Sequence, residues 1–288
     1  MSSSAPPPKP QMKQYSDIGK IAKKLLTDDY IFTNKLKVTS MTPDGISYTI
    51  TGVHNSKIEQ IDAEISGKCK VKGVDFTGKA FTNGKLPTLE VKYNTTDAQG
   101  RKATLTGLFG KELRTGTAEL LGGPVGVKIA GDAVSSDVYG SLAVALTSDK
   151  YDGFIIAGAE SSYNINAKEL GKTSYGLSLF DGKESEVSLH ATNRMQKAML
   201  SYSHHVRHGF SAAAQIQHDF PEKRTQIALG AAYRLDGATA VKGKVDMDGF
   251  VALTYLQDIR PNTKLIMSSK FDPSKLDNAK VGVSLTVE

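Results

Sequence analysis

No apolar run in this sequence approaches the roughly 18 residues that a membrane-crossing helix requires, because lysines, aspartates and glycines interrupt every one. Helical spans are excluded by that absence, but a closed barrel is not, since its strands pair their backbone groups with one another and show lipid only every second residue. Met1 to Gln14 is rich in serine, proline and lysine and has no apolar centre, so it does not read as a secretory signal peptide, and bacterial export is not expected. Cysteine is reduced to Cys69 alone, which excludes an intrachain disulfide and a cysteine-based metal site. Nor does any Ser/His/Asp set or carboxylate pair stand out by spacing, so no catalytic site is nominated and no cofactor is expected.

What is present is enough to fold. Hydrophobic residues make up 39% of the chain and charged residues 23%, outside the range of disordered sequences, and a mean hydropathy of -0.28 is compatible with a barrel. A formal charge of +6 predicts attraction to anions, whether nucleic-acid phosphates, lipid headgroups or small metabolites. Nucleic acid is not the expected partner, because the lysines are scattered along the chain and not gathered on one element among stacking aromatics.

The period of the apolar residues divides the chain near residue 30. A tail over residues 1–14, with Pro6, Pro7, Pro8 and Pro10, leads into a helical segment over 15–30, and residues 31–288 read as strands. Within the helix, Ile18, Ile21, Ala22, Leu25 and Leu26 fall at the spacing of an amphipathic stripe, with Ser16 as N-cap, Asp17 at the positive end and Asp28-Asp29 at the close. Beyond it the period becomes two. From Ile61 to Lys72, apolar or small residues take the odd positions, while Asp62, Glu64, Ser66, Lys68, Lys70 and Lys72 take the even ones. The same alternation recurs in Leu89/Val91/Tyr93, Val125/Val127/Ile129, Leu142/Val144/Leu146, Tyr175/Leu177/Leu179, Ile227/Leu229/Ala231/Tyr233 and Val281/Val283/Leu285/Val287.

Between these runs stand dipeptides suited to hairpin turns: Asp44-Gly45, Asn83-Gly84, Asp152-Gly153, Asp181-Gly182, Asp236-Gly237 and Asp248-Gly249. At about 13 to 14 residues per strand and turn, the roughly 255 residues after the helix supply 18 or 19 antiparallel strands, a sheet large enough to close into a pore. A soluble pair of β-sandwiches would use the alternation for an internal core instead. The glycines, alanines and tyrosines on the apolar face suit lipid better than an interdigitated core.

Sharper chemical signals are weaker on inspection. His204, His205 and His208 lie where a strand, a turn and a strand are expected, and no third ligand has a defined place beside them. Gly237 to Lys244 resembles a phosphate loop but has one residue too many between its glycines, and Val245 stands where Ser or Thr is required. Leu121-Gly122-Gly123-Pro124 reads as a turn.

Tyr15-Ser-Asp17-Ile18-Gly19-Lys20 opens a segment that resembles the N-terminal helix of the mitochondrial porins, or voltage-dependent anion channels. Tyr233-Arg-Leu-Asp236, Lys242-Gly-Lys244-Val-Asp246 and Ala252-Leu-Thr-Tyr255 resemble the porin signature, with departures at Gly237 and Met247. Lys280, Gly282, Leu285 and Val287 resemble the terminal-strand signal by which mitochondrial machinery recognises barrel precursors. The resemblance implies an all-β transmembrane barrel of about 19 strands, the first and last parallel, with the helix inside the lumen of an integral mitochondrial outer-membrane protein. It further implies a voltage-dependent, weakly anion-selective channel, not an enzyme, whose partners are the lipid bilayer and permeating chloride, phosphate, ATP/ADP and small metabolites, with self-association into homo-oligomers open.

On that resemblance, Ile18, Ile21 and Leu25 pack the helix on the wall, and Lys20, Lys23 and Lys24 border the aqueous path as anion or nucleotide contacts. Lys24 and Asp28 exchange the charges that many animal members carry at these places, and Gly78 stands where some have a membrane-facing glutamate. Two readings compete: the general protein-import pore of the same membrane, and a soluble β-rich binding protein.

Overall fold

The computed structural model describes residues 14–55, 60–111, 114–148, 151–181 and 185–288; the expected tail, apart from Gln14, lies outside them. A 3-10 turn over Tyr15–Asp17 and a short helix α1 over Lys20–Leu26 precede the strands. These are β1 (Asn34–Met41), β2 (Ser47–Asn55), β3 (Gln60–Val71), β4 (Val74–Phe81), β5 (Thr88–Thr96), β6 (Lys102–Phe109) and β7 (Arg114–Gly122). There follow β8 (Val125–Asp132), β9 (Asp137–Ser148), β10 (Tyr151–Asn164), β11 (Glu169–Phe180), β12 (Ser185–Thr192) and β13 (Lys197–Arg207). The last are β14 (Phe210–Asp219), β15 (Arg224–Arg234), β16 (Thr239–Asp246), β17 (Val251–Arg260), β18 (Thr263–Asp272) and β19 (Lys275–Val287).

Each strand pairs antiparallel with its sequence neighbours, and β1 pairs with β19, so the 19-stranded sheet closes on itself. An up-and-down barrel with an odd strand number must bring its first and last strands together in the same direction, and the seam is indeed parallel, with Leu36 opposite Leu285 and Val38 opposite Val287. Closure removes both sheet edges, which is what lets backbone lie in lipid.

Register settles which residues face which side. Val125, Val127 and Ile129 lie opposite Val144, Leu142 and Gly140, and the same outward row continues through Ile155, Ala157 and Ala159 to Leu179, Leu177 and Tyr175. The alternating apolar face read from the sequence is therefore the outer face, and it is uncovered: Leu146 and Leu229 are each 56% exposed. A sandwich would bury these side chains; here they face outward, where a membrane covers them.

The dipeptides read as turns meet different outcomes. Gly45, Gly84 and Gly249 have φ of 79°, 78° and 83°, the left-handed conformation expected of them. Asp236-Gly237 does sit between β15 and β16, but Gly237 does not adopt positive φ; instead the Asp236 carboxylate accepts hydrogen bonds from the backbone N–H of Ala238 (2.7 Å) and Thr239 (2.6 Å). Asp152-Gly153 is not a turn: Gly153 lies within β10, at an irregularity in its pairing with β9, where a Cβ would stand 2.1 Å from the Phe180 carbonyl oxygen. Gly182 lies outside the described residues. His204 and His205 fall near the end of β13 with Gly209 in the turn beyond, bonding Ser185 (2.7 Å) and Ser211 (2.9 Å) on the neighbouring strands.

Candidate permeation site

The N-terminal segment is not one continuous helix from Tyr15. Gly19 has φ 66° and ψ 14°, which breaks the chain between the 3-10 turn and α1. Ser16 does not cap it; Gln14 precedes the turn, and its backbone N–H donates to the Asp17 carboxylate at 3.1 Å.

The break decides which apolar residues reach the wall. Tyr15 and Ile18 pack on Ala143, Ala145 and Ile156 of β9 and β10, while Ala22, Leu25 and Leu26 pack on Ala213 of β14 beside Ala228 and Ala232 of β15. Of the three residues read as packing on the wall, Ile18 and Leu25 are buried and Ile21 is 45% exposed. The left-handed glycine disrupts the three-residue relation between Ile18 and Ile21, and within α1 the buried row is Ala22, Leu25 and Leu26, with Ile21 on its flank.

All of these wall residues are on the face opposite the exposed apolar rows, so the segment lies inside the barrel. The wall is shaped to receive it. At Gly158 and Gly176 a Cβ would come within 2.9 Å and 3.1 Å of the Tyr15 ring and within 3.3 Å and 3.0 Å of Ile18 Cδ1. The neighbouring inward positions are small and polar: Ser174, Ser178, Ser188, Ser201 and Ser203, all buried. Burial pushes the Tyr15 phenol up to about 12, and the nearby Glu160 carboxylate adds to the shift.

At its other end the segment is tied down before it enters β1. Lys242 Nζ pairs with the Asp29 carboxylate at 2.5 Å and donates to the Lys24 carbonyl at 3.4 Å. Ser268 Oγ donates to the Asp29 carbonyl at 3.0 Å and accepts the Ile31 N–H at 3.2 Å. Burial, and then the Asp246 and Asp29 carboxylates, push Tyr30 up to about 12. Gly282 makes room for this linker, because a Cβ there would stand 2.4 Å from the Ile31 oxygen and 2.5 Å from the Thr33 nitrogen. Of the other terminal-strand residues, Leu285 and Val287 face outward across the seam, and Lys280 lies inward opposite Lys270.

Lys20, Lys23 and Lys24 are all exposed on the segment's free side. Lys20 shares its charge with Asp17 at 2.7 Å, and that hydrogen bond raises its pKa, whereas Lys23 and Lys24 have no ion partner among the described residues. Inward positions of the seam strands add Lys35, Lys37, Lys264 and Lys280, which also lack ion partners among the described residues. Sequence reasoning missed Lys35, Lys37 and Lys264 and gave Lys280 only an assembly role, although their inward place follows once Leu36, Val38, Leu265 and Val281 are assigned outward. Lys242 and Lys244, seen first in a loop-like motif, are inward residues of β16.

The eukaryotic porin family matches this chain over residues 11–282. Mitochondrial outer membrane protein porin 1 of Oryza sativa subsp. japonica is 27% identical, covering 95% of this chain and 97% of that protein. The mitochondrial outer membrane protein porin of Candida albicans is also 27% identical (94% and 97%), and the voltage-dependent anion-selective channel of Drosophila melanogaster is 28% identical (95% and 98%). Among solved structures, a mutant of Rh. blastica porin overlaps at a TM-score of 0.46 and 12% identity, covering 88% of this chain and 95% of that one; the closed strand order stands without it. Barrel, internal helix and a family match over nearly the whole chain agree: the chain belongs to the eukaryotic porins, and is a channel, not an enzyme, integral to the mitochondrial outer membrane.

Proposed function

We propose that this porin is a voltage-dependent, weakly anion-selective channel passing chloride, phosphate, ATP/ADP and small metabolites. In this reading residues 15–30 form the pore segment and residues 31–288 the wall. The observation that carries it is a group of inward lysines without ion partners among the described residues, Lys23 and Lys24 on α1 and Lys35, Lys37, Lys264 and Lys280 along the seam. Fixed cations beside an aqueous path raise the local concentration of anions, and rings of charge select by the same means. The preference is mild, because ions in a wide pore stay hydrated and salt screens charges beyond about 8 to 10 Å.

Lys20, Lys23 and Lys24 are the anion or nucleotide contacts in this reading. Lys20 contributes least, since Asp17 offsets its charge. Voltage dependence is supported by the family helix pattern and by the name of the Drosophila relative. Lys280, Gly282, Leu285 and Val287 serve as the terminal-strand assembly signal, and exchange of Leu285 for a charged residue is expected to reduce insertion into isolated mitochondria.

Reconstitution into a planar bilayer tests the reading: large conductance is expected, falling at higher voltage of either sign, with a reversal potential on the anion side. Changing Lys20 and Lys23 together to glutamate moves that potential toward cations. Correctly folded protein that forms no channels would contradict the proposal.

A further inference from the structure

A carboxylate buried in the barrel wall demands a reason, because taking an ion out of water costs free energy unless it is paired or hydrogen-bonded. Glu186 on β12 is 2% exposed. Its Oε1 accepts the Ser178 hydroxyl at 2.7 Å and the backbone N–H of Gly19 at 3.0 Å, while its Oε2 has no partner among the described residues. Gly19 is where the N-terminal segment breaks, and no side chain of the segment caps its N–H. The wall thus supplies the acceptor that the break itself lacks.

The fit is steric as well as polar. A Cβ on Gly19 would stand 2.6 Å from Ser188 Oγ and 3.0 Å from His190 Nε2, and φ of 66° already disfavours any other residue. The His190 ring meets Tyr15 edge-on, 6.3 Å between centroids, on one side of the break. Ahead of the break Gln14 Nε2 donates to Glu119 at 2.9 Å, and the far end is pinned by Lys242 on Asp29, so the break and α1 lie between polar anchors.

We propose that Glu186 is a positioning residue for conduction: its carboxylate holds the Gly19 break against β12 and so fixes where Lys20, Lys23 and Lys24 stand in the ion path. This rests on the reading that α1 lines that path. Loss of the acceptor loosens the Gly19 break and the first turn of α1, while the Gln14 and Asp29 ends stay attached.

The test uses the full chain in liposomes with Cys69→Ser and Ala22→Cys, since Ala22 is 2% exposed when docked and a water-soluble maleimide reports its release. Glu186→Leu is expected to speed labelling about tenfold, the loss of a hydrogen bond to a charged group, whereas Glu186→Gln keeps an acceptor and restores much of the protection. Gly19→Ala should match Glu186→Leu, and because Gly19 belongs to no strand it tests the dock even if the wall variant fails to fold. In bilayers, the variants that label fast should also close at lower voltage and lose anion preference. Unchanged labelling in both Glu186→Leu and Gly19→Ala overturns the role of Glu186. Fast labelling with unchanged selectivity and closure overturns the pore-lining reading, and the proposal with it.

Discussion

The barrel has two unlike arcs. On β1 to β8 the inward positions carry long side chains of both signs, including Asp62, Glu64, Lys68, Lys70, Lys79, Glu90, Lys92, Glu119 and Lys128, some paired across strands at 3.2 Å (Lys79 with Glu64) and 2.8 Å (Lys128 with Glu119). Only Gly126 is buried among the described residues of those strands. On β9 to β14 many inward positions turn to serine, alanine and glycine, and most of these are buried where the N-terminal segment packs on the wall. Side-chain volume and charge thus tell a bare wall from an occupied one: long charged residues need water, and small ones leave space that must be filled.

The largest expected break in that contrast comes from one added side chain in each arc. Gly176→Val drives into Ile18 and Tyr15, and overpacking of this kind costs about 1–3 kcal/mol. Ala130→Val, inward on β8, faces open lumen and changes stability by no more than about 0.5 kcal/mol. Thermal unfolding in detergent, with protease cleavage of the N-terminal segment as a second readout, separates the two. Equal effects would mean the small-residue wall is not a dock.

Truncation sharpens the same point within α1. Leu25→Ala is expected to cost about 2 kcal/mol through lost burial, and Ile21→Ala about a quarter of that or less, because Ile21 is 45% exposed. In the bare arc, Lys128→Ala should cost under about 1 kcal/mol, since its pair with Glu119 is open to solvent and screened; a double-mutant cycle measures the coupling.

The smallest effect is on pH dependence. Tyr15 has a folded pKa of about 12 against an ordinary 10, so its contribution to docking is fully present below pH 10 and is lost as pH rises through 12. Phenolate absorbance should show its titration moving back toward 10 in Gly176→Val.

The outer face was legible because its period of two has one physical cause, lipid on one side and water on the other. Ile61 to Lys72 read as a single strand, and β3 spans Gln60–Val71. Strand parity and the parallel seam were not legible from periodicity, since one strand more or fewer leaves the alternation unchanged; they came from the family resemblance. Gly153 misled because a glycine needed for close backbone approach looks the same in sequence as one needed for a turn. Ile21 falls on the apolar stripe only if the helix runs unbroken through Gly19, whose left-handed backbone instead ends one element and starts another. The occupied wall did have a signal: Ser174, Ser178, Ser188, Ser201 and Ser203 mark runs of small inward residues where the first arc has charges. Glu186 had none, for a lone carboxylate among serines shows its partner only after folding.

The claim that matters most is that cations on the segment inside the barrel set the preference of the pore. A single-channel recording in a KCl gradient, wild type beside Lys20→Glu/Lys23→Glu, tests it directly. The expected result is a wild-type reversal potential on the anion side and a shift toward cations in the variant. A reversal potential that the variant leaves unchanged would contradict it and place the segment outside the current path.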